Sequence, residues 1–455
     1  MNPNVFRECD VRGIVDQDLN EIFIVNLGRA IGAYALKRNI KTMTVGRDCR
    51  LSSEAYSGYL ISGLNASGLD TIDIGLCPTP MLYFSIRHCG AGGGVMVTGS
   101  HNPPEFNGFK ICIGHDAIYG TEIQCLKKIM ESGSYISGRG QASQINITEA
   151  YQNHLFSHIT ISNKLHVVLD AGNGVGGQFA LPLLNQLGCK VTALHCDPDG
   201  RFPHHFPDPS VLENLQDLIS TVTETKADVG IAFDGDADRI GVVDHNGEVI
   251  WADQLLLLFA RSILKKHPGS AIIGEVKCSQ TLFDDIEKNG GHAIMWKTGH
   301  SLLKSKIRDE KALLGGDMSG HIFFADRHFG YDDAIYAALR LLEILSESNQ
   351  TIEALLADTP KTFATPEIRL HCDDDQKKIL VEKIRKRCRH IPNLIEIDGV
   401  RIPFADGWAL VRASNTQPAL VLRFESDSAE GLQRIRNKVE EWLALEQELE
   451  ISTDS

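Results

Sequence analysis

Between residues 19 and 347, segments with apolar residues at helical spacing alternate with short apolar runs the length of one strand, and this alternation limits the possible folds more than any other feature. Leu19, Ile22, Phe23, Leu27, Ala30, Ile31 and Tyr34 recur at intervals that fall on one helix face, and KTMTVGRD then reads as a buried strand. Ser52 and Ser53 open a second helix that stops at Gly68, TIDIG is a strand, Pro78 and Pro80 start another helix, and GGVMVT is a third strand. Helices placed between strands in this way give parallel strands with crossover connections. In such sheets ligands gather beyond the carboxyl ends of the strands, which is where Ser100 falls.

The pattern recurs from residue 147 with strand LHVVLDA, the Gly-rich GNGVGG turn, a helix, strand KVTALHC, a Pro-rich loop to Pro209, a helix and strand VGIAFD. Asn246-Gly247 between apolar runs marks a hairpin. A third unit follows with helix 253–266, strand AIIGEV, a helix, strand HAIMW and helix 332–347. From residue 363 the order changes to a strand, a helix, a cluster of short strands with turns at Asp398-Gly399 and 405–407, and an amphipathic helix over 428–447, which points to antiparallel pairing. A chain of 455 residues exceeds what one core supports. We therefore expect an α/β protein of three similar mixed α/β domains, at 1–145, 146–248 and 249–360, and a smaller C-terminal α+β domain at 361–455.

Eleven cysteines without a CxxC pair fit reduced thiols better than a disulfide frame or a zinc site. A net charge of −14 argues against nucleic acid as a partner. The apolar stretches fall well short of the roughly 20 residues of a membrane helix, and MNPNVFRECD lacks a signal-like core, so the expectation is a cytoplasmic protein with no membrane partner.

The strongest chemical signal is DGDADR at 234–239. Asp234, Asp236 and Asp238 at alternate positions can converge on one hard cation, and oxygen ligands suit Mg²⁺ or Ca²⁺. An EF-hand is excluded, because Arg239 stands where that loop needs Gly and His245 where it needs a bidentate Glu. Mg²⁺ completes its shell readily with a phosphate oxygen, which Ser100 in TGSHNPPEFNGFK would supply if phosphorylated. Ser100 is not in a hydrolase elbow, since Thr98 and Asn102 occupy the glycine positions of G-x-S-x-G. RASNT at 412–416 offers a guanidinium, two hydroxyls, an amide and turn N–H groups suited to a phosphate dianion. GGDMSGH at 315–321 places Asp317, Ser319 and His321 at alternate positions in a flexible loop able to grip vicinal sugar hydroxyls. Taken singly, each motif also reads as a polar turn between strands.

Together, TGSHNPPEFNGFK, DGDADR, GGDMSGH and RASNT, in this order and spanning nearly the whole chain from FRECDVRG, resemble the α-D-phosphohexomutases, most closely the bacterial phosphomannomutase/phosphoglucomutase branch. The resemblance implies four domains around a central cleft, Ser100 carried as phosphoserine, and Mg²⁺ on Ser100, Asp234, Asp236 and Asp238. It implies that Arg412, Ser414, Asn415 and Thr416 hold the non-reacting phosphate and that Asp317 and Ser319 bind sugar hydroxyls. Arg12, Lys110, Arg239, Lys277, His321 and, in KTGHS, Gly299 and His300 would line the reacting end. The implied reaction interconverts hexose 1-phosphate and hexose 6-phosphate through a bisphosphate, with glucose 1,6-bisphosphate or mannose 1,6-bisphosphate as activator.

For the general base the sequence offers His101, Lys110, His300 and His321 without ranking them. The chain departs from most relatives at Asp317, where they carry Glu, and at Cys9 and Gln417, while Met318 matches the mannose and glucose branch. The expected partners are small sugar phosphates, and the expected assembly is a monomer or weak dimer. Phosphoglucosamine mutase, a metal-dependent sugar phosphatase and a non-catalytic sugar-phosphate binder are the rival readings.

Overall fold

The computed structural model describes residues 2–414 and 418–453, with the side chains of Asp374 and 447–453 outside that description. Four sheets follow one another along the chain. The first orders its strands Val11–Ile14, Phe106–Ile113, Gly93–Val97, Thr42–Arg47, Asp70–Leu76, Ala142–Gln144. Thr42–Arg47 runs parallel to Asp70–Leu76 and to Gly93–Val97, as the strand and helix alternation predicts. Its helices Glu21–Leu36 and Ser53–Ala66 pack closely because both present glycine at the crossing. A Cβ on Gly63 would lie 2.2 Å from the Val25 carbonyl oxygen.

The second sheet orders Val249–Ile250, Ile240–Asp244, Val229–Phe233, His166–Asp170, Lys190–Leu194, and the third His292–Trp296, Ala271–Glu275, Leu314–Gly316, Ile322–Phe324. In each of the three α/β units a strand of the parallel part ends in an antiparallel hairpin, a feature the crossover pattern does not announce. Val97 pairs with Phe109, Phe233 with Ile240 and Gly316 with Ile322, so 98–106, 234–239 and 317–321 are equivalent hairpin loops. The fourth sheet is antiparallel, and Gly407–Ala413 pairs with Ala419–Ser426 around a fourth loop.

A single apolar cluster runs from Ile74 in the first unit through Leu169 and Phe233 in the second to Leu256 and Phe324 in the third. The fourth unit has its own core around Ile384, Val411, Phe424 and Ile435. The first three sheets are thus fixed to one another by shared burial. The fourth is joined to the third by a small apolar cluster of Val276, Trp408 and Leu410 and by polar contacts, of which the buried Arg401 makes several. Among the described residues no helix is long and apolar enough to cross a membrane, and ten of the cysteines, Cys372 aside, are free thiols.

Candidate active site

Ser100 sits in the left-handed region at φ 50°, uncommon for a side chain other than Gly, Asn or Asp, and this turns its hydroxyl toward the second unit. Its Oγ donates to Asp234 Oδ2 at 2.7 Å and lies 3.2 Å from His101 Nδ1. The 234–239 loop is shaped by its own carboxylate, because Asp234 Oδ1 accepts from the N–H of Asp238 and of Arg239, both at 3.1 Å. Ala237 in the left-handed region completes the turn, and the three aspartates are fully buried.

Their ligand oxygens lie within 4.8 Å of one another, and Asp236 Oδ1 and Asp238 Oδ1 have no hydrogen-bond partner. Buried carboxylate oxygens without donors are costly, so this donor set fits a hard divalent cation. Lys110 from the strand Phe106–Ile113 donates to Asp236 Oδ2 at 2.7 Å and to Asp238 Oδ2. Burial disfavours its charge, but Asp236 and Asp238 overcome that and push the ammonium's pKa up. Burial pushes the Asp234 carboxyl up, reinforced by its two neighbours, whereas Lys110 and His321 hold Asp238 well below the carboxylate range despite its burial.

The third unit brings in His321 and His300. Arg239 and His321 form a bridge between two loops, and the Ile240 N–H donates to the Gly320 carbonyl at 3.0 Å. His321 Nδ1 is 2.7 Å from Asp317 Oδ2, and its Nε2 faces Asp238 Oδ1 at 3.4 Å. Burial opposes a charged imidazole there, but Asp317 and Asp238 raise its pKa to about 10. Asp317 Oδ1 accepts from the Ser319 N–H and hydroxyl and from the His321 N–H. The carboxylate is therefore engaged within its own turn. His300 opens the helix His300–Glu310 behind Gly299, whose φ of 132° favours glycine, and its ring stacks 5.5 Å from that of His321. Burial holds His300 and His101 neutral at pH 7, with Lys304 adding to the effect on His300 and Arg239 on His101. Arg12 donates to Asn102 Oδ1 at 2.7 Å and to Asp10 Oδ2 at 2.6 Å.

Lys277 links this group to the fourth unit, with Nζ 3.2 Å from Glu275 and 2.9 Å from Glu367. Arg412 Nε donates to Asp398 Oδ2 at 3.1 Å, and the Thr298 N–H donates to the same oxygen. The Ser414 carbonyl accepts from Lys377 at 2.7 Å. Asn415 and Thr416, like Gln417, lie outside the described residues. Sequence reasoning missed four participants. Thr79 donates to Asp236, Glu275 holds the Met318 N–H at 2.8 Å, Asp332 faces His300 Nδ1 at 3.6 Å, and Lys304 donates to Asp332 at 2.8 Å. Glu275 and Lys304 stood beside named motifs in GEVKC and KTGHSLLK, and that proximity was the available signal.

Four family models match the chain in sequence. They describe the phosphoglucomutase/phosphomannomutase alpha/beta/alpha domains I, II and III at residues 3–135, 147–247 and 251–363, and the C-terminal domain at 367–441. A Pseudomonas putida protein named phosphomannomutase/phosphoglucomutase is 46% identical over 435 residues, covering 95% of this chain and 94% of that one. A Neisseria gonorrhoeae phosphoglucomutase is 43% identical over 441 residues, covering 96% and 95%. The crystal structure of a phosphoglucomutase/phosphomannomutase family protein from Burkholderia thailandensis superimposes with a TM-score of 0.92 at 40% identity, covering 97% of both chains.

Proposed function

The chain belongs to the phosphoglucomutase/phosphomannomutase family, and from that premise we propose that it interconverts hexose 1-phosphate and hexose 6-phosphate, with mannose and glucose phosphates as substrates. It is a hexose-phosphate mutase, an isomerase that works by phosphoryl transfer. The observation that carries the reading is the 2.7 Å contact of Ser100 Oγ with Asp234, beside the buried Asp236 Oδ1 that lacks a donor. We divide the chain into working units at 1–145, 146–248, 249–360 and 361–455, each giving one loop to the cleft.

Phosphoryl transfer asks for positioning and neutralisation of spread charge more than for covalent chemistry. Phospho-Ser100 passes its phosphoryl group to the 6-hydroxyl of a hexose 1-phosphate. The P–Oγ bond breaks, a P–O6 bond forms and the hydroxyl proton passes to a base. The bisphosphate turns over, Ser100 Oγ gives up its proton and takes the phosphoryl group as the P–O1 bond breaks, O1 takes a proton, and hexose 6-phosphate leaves. Mg²⁺ held by phospho-Ser100, Asp234, Asp236 and Asp238 would supply Lewis-acid neutralisation of the phosphoryl oxygens.

Lys110 adds positive charge at Asp236 and Asp238, and the Arg239 guanidinium, with Nε 3.3 Å from His321 Nε2, adds it beside them. Lys110 and His321 are engaged with the carboxylates of the candidate cation site, Lys110 with Asp236 and Asp238 and His321 with Asp317 and Asp238, so neither is the base we assign to the substrate. His300, neutral and with Nδ1 toward Asp332, is the base we assign to the substrate hydroxyl, and His101 serves Ser100 itself. Arg412, Ser414, Asn415 and Thr416 would grip the non-reacting phosphate, with Lys277 beside them. Gly299, Asp317 and Ser319 would line the sugar, and Arg12 the reacting phosphate. All four loops come from one chain, which supports a monomer or weak dimer, and cysteines without a CxxC pair support the cytoplasm.

A coupled assay on mannose 1-phosphate and glucose 1-phosphate, with a trace of glucose 1,6-bisphosphate as activator, tests the reading. Both sugars should isomerise, and Ser100→Ala should lose nearly all activity and take no label from the bisphosphate. Release of inorganic phosphate without isomer would replace the mutase by a phosphatase.

A further inference from the structure

Arg50 follows the strand Thr42–Arg47, is 2% exposed, and belongs to none of the motifs that point to phosphoryl transfer. All five N–H groups of its guanidinium are engaged. Nη2 donates to the carbonyls of Ser100 at 2.7 Å and Asn102 at 2.5 Å, and Nη1 to those of Pro103 at 2.7 Å and Phe106 at 2.9 Å. Nε donates to Asp48 Oδ2 at 3.2 Å. Four of the five acceptors are thus backbone carbonyls of the loop that carries Ser100.

That loop has few means of holding its own shape. Pro103 and Pro104 have no N–H to offer, Ser100 sits in the left-handed region, and the inward carbonyls of Ser100 and Asn102 have Arg50 as their donor, while that of Pro103 also accepts from the Phe106 N–H at 3.1 Å. Asp48 grips the other side, with Oδ2 accepting from the Gly99 N–H at 3.3 Å and Oδ1 from the Arg50 N–H at 3.0 Å. The guanidinium lies so close that a Cβ on Gly99 would stand 2.5 Å from Arg50 Cζ. The second unit closes over the same group. The Phe202 ring lies 5.0 Å from the guanidinium, and a Cβ on Gly200 would meet Arg50 Cα at 2.6 Å. The ordering of the serine loop is therefore tied to the docking of the two units that share the candidate cation site.

We propose that Arg50 is a positioning residue for phosphoryl transfer, whose guanidinium fixes the 98–106 loop in the one conformation that presents Ser100 Oγ to the carboxylates of the second unit. The inference rests on the mutase reading. Arg50 touches no substrate, since its donors are all taken within the protein. Lysine cannot replace it, because an ammonium has three donors around a point and no planar fork to span four carbonyls.

The test compares wild type, Arg50→Lys and Ser100→Ala by steady-state kinetics, by the rate of label uptake at Ser100 from labelled glucose 1,6-bisphosphate, and by thermal unfolding. Arg50→Lys should lower kcat and the labelling rate together by about 100-fold, because displacement of a reacting atom by about 1 Å costs that much. Its KM should stay within about threefold of wild type, since the phosphate-gripping loop is untouched. A purely structural role would lower the melting temperature but leave the labelling rate of the folded protein unchanged, and that result overturns the inference. If Arg50→Lys does not accumulate as folded protein, Asp48→Asn, which keeps the shape but weakens the anchor, should still slow labelling roughly tenfold. A wild-type rate there also overturns it. Absence of both label and isomerisation in the wild type would instead remove the mutase reading, so the two failures are distinguishable.

Discussion

The Thr79 hydroxyl donates to Asp236 Oδ2 at 2.5 Å while the Thr79 N–H donates to the Asp236 carbonyl at 2.9 Å, so one residue of the first unit holds both the side chain and the backbone of a candidate metal ligand in the second. Thr79 is the first residue of the helix Thr79–His88, whose positive end faces the carboxylate loop. Thr79→Val keeps the shape and removes the hydroxyl. We expect the half-saturating Mg²⁺ concentration to rise by about 10- to 100-fold, the usual effect of losing a residue that orients a ligand. Activity titrated against Mg²⁺ measures it, and an unchanged titration would separate Thr79 from the cation.

Removing the cation should leave three buried aspartates with only Lys110, Arg239 and His321 to offset them. EDTA should abolish mutase activity, and Mg²⁺ should restore it. Mg²⁺ should also raise the unfolding temperature, because a cation at a hundred times its Kd stabilises the folded state by about 2.7 kcal/mol. Asp238→Asn should erase that increment, as differential scanning calorimetry would report.

Asp317→Asn should lower kcat/KM by about 100-fold, equivalent to ~2.7 kcal/mol of transition-state binding. The variant keeps the turn but removes the charge that, with Asp238, holds His321 as imidazolium. Asp317→Glu tests whether one more methylene is tolerated. If kcat/KM of Asp317→Asn matched wild type, the charge on His321 would have no part in turnover.

The division between what the sequence disclosed and what it did not follows the sequence distance between partners. Asp234, Asp236 and Asp238 announce themselves because alternate residues of one hairpin converge on one point. Thr79 and Asp236 are 157 residues apart, and a lone threonine at a helix start carries no mark of its partner. The strand Phe106–Ile113 was obscured by Gly108, where a Cβ would stand 2.6 Å from the Val11 carbonyl oxygen, and by the buried Lys110 that reaches the carboxylates, since both interrupt the apolar run. Leu314–Gly316 reads LGG, a segment with little strand propensity that pairs because its neighbours are already in place. The helix His300–Glu310 is mostly polar, and its start at Gly299 becomes evident only once the loop is known to turn toward the cleft.

His205 gives a pH-dependent stability. Its Nε2 lies 3.0 Å from the fully buried Asp170, and Nδ1 faces the Phe206 carbonyl at 2.9 Å, so both ring nitrogens meet acceptors. Burial lowers its pKa, but Asp170 more than offsets this and the net shift is upward. A raised folded pKa means that the stabilisation is fully present below the unfolded value, about 6.5, and is lost as pH rises through the folded value. His205→Gln should therefore destabilise by roughly 1.5–3 kcal/mol at pH 5.5, the range for losing a hydrogen bond to a charged group. The gap from wild type should narrow by pH 9, and urea unfolding at both pH values would show it. A gap independent of pH would mean that His205 is neutral throughout.

Arg401 decides how the fourth unit reaches the others. Its guanidinium lies 3.7 Å from the Trp408 ring, and it donates to the Val276 and Cys278 carbonyls of the third unit at 2.6 and 2.8 Å. Burial pulls its pKa down to about 10 even though Glu425 favours the charge, so the group is held by geometry more than by an ion-pair partner. Because the fourth unit has a core of its own, losing this contact should loosen its docking without unfolding it. Arg401→Ala leaves two buried carbonyls without donors, a cost of about 1–3 kcal/mol each that falls on the interface. Calorimetry should then resolve a separate transition for the fourth unit where wild type should show one. The loop bearing Arg412 would be less often in place, so KM for hexose 1-phosphate should rise by about tenfold while kcat changes less. A variant with unchanged KM and a single transition would show that the fourth unit is held elsewhere.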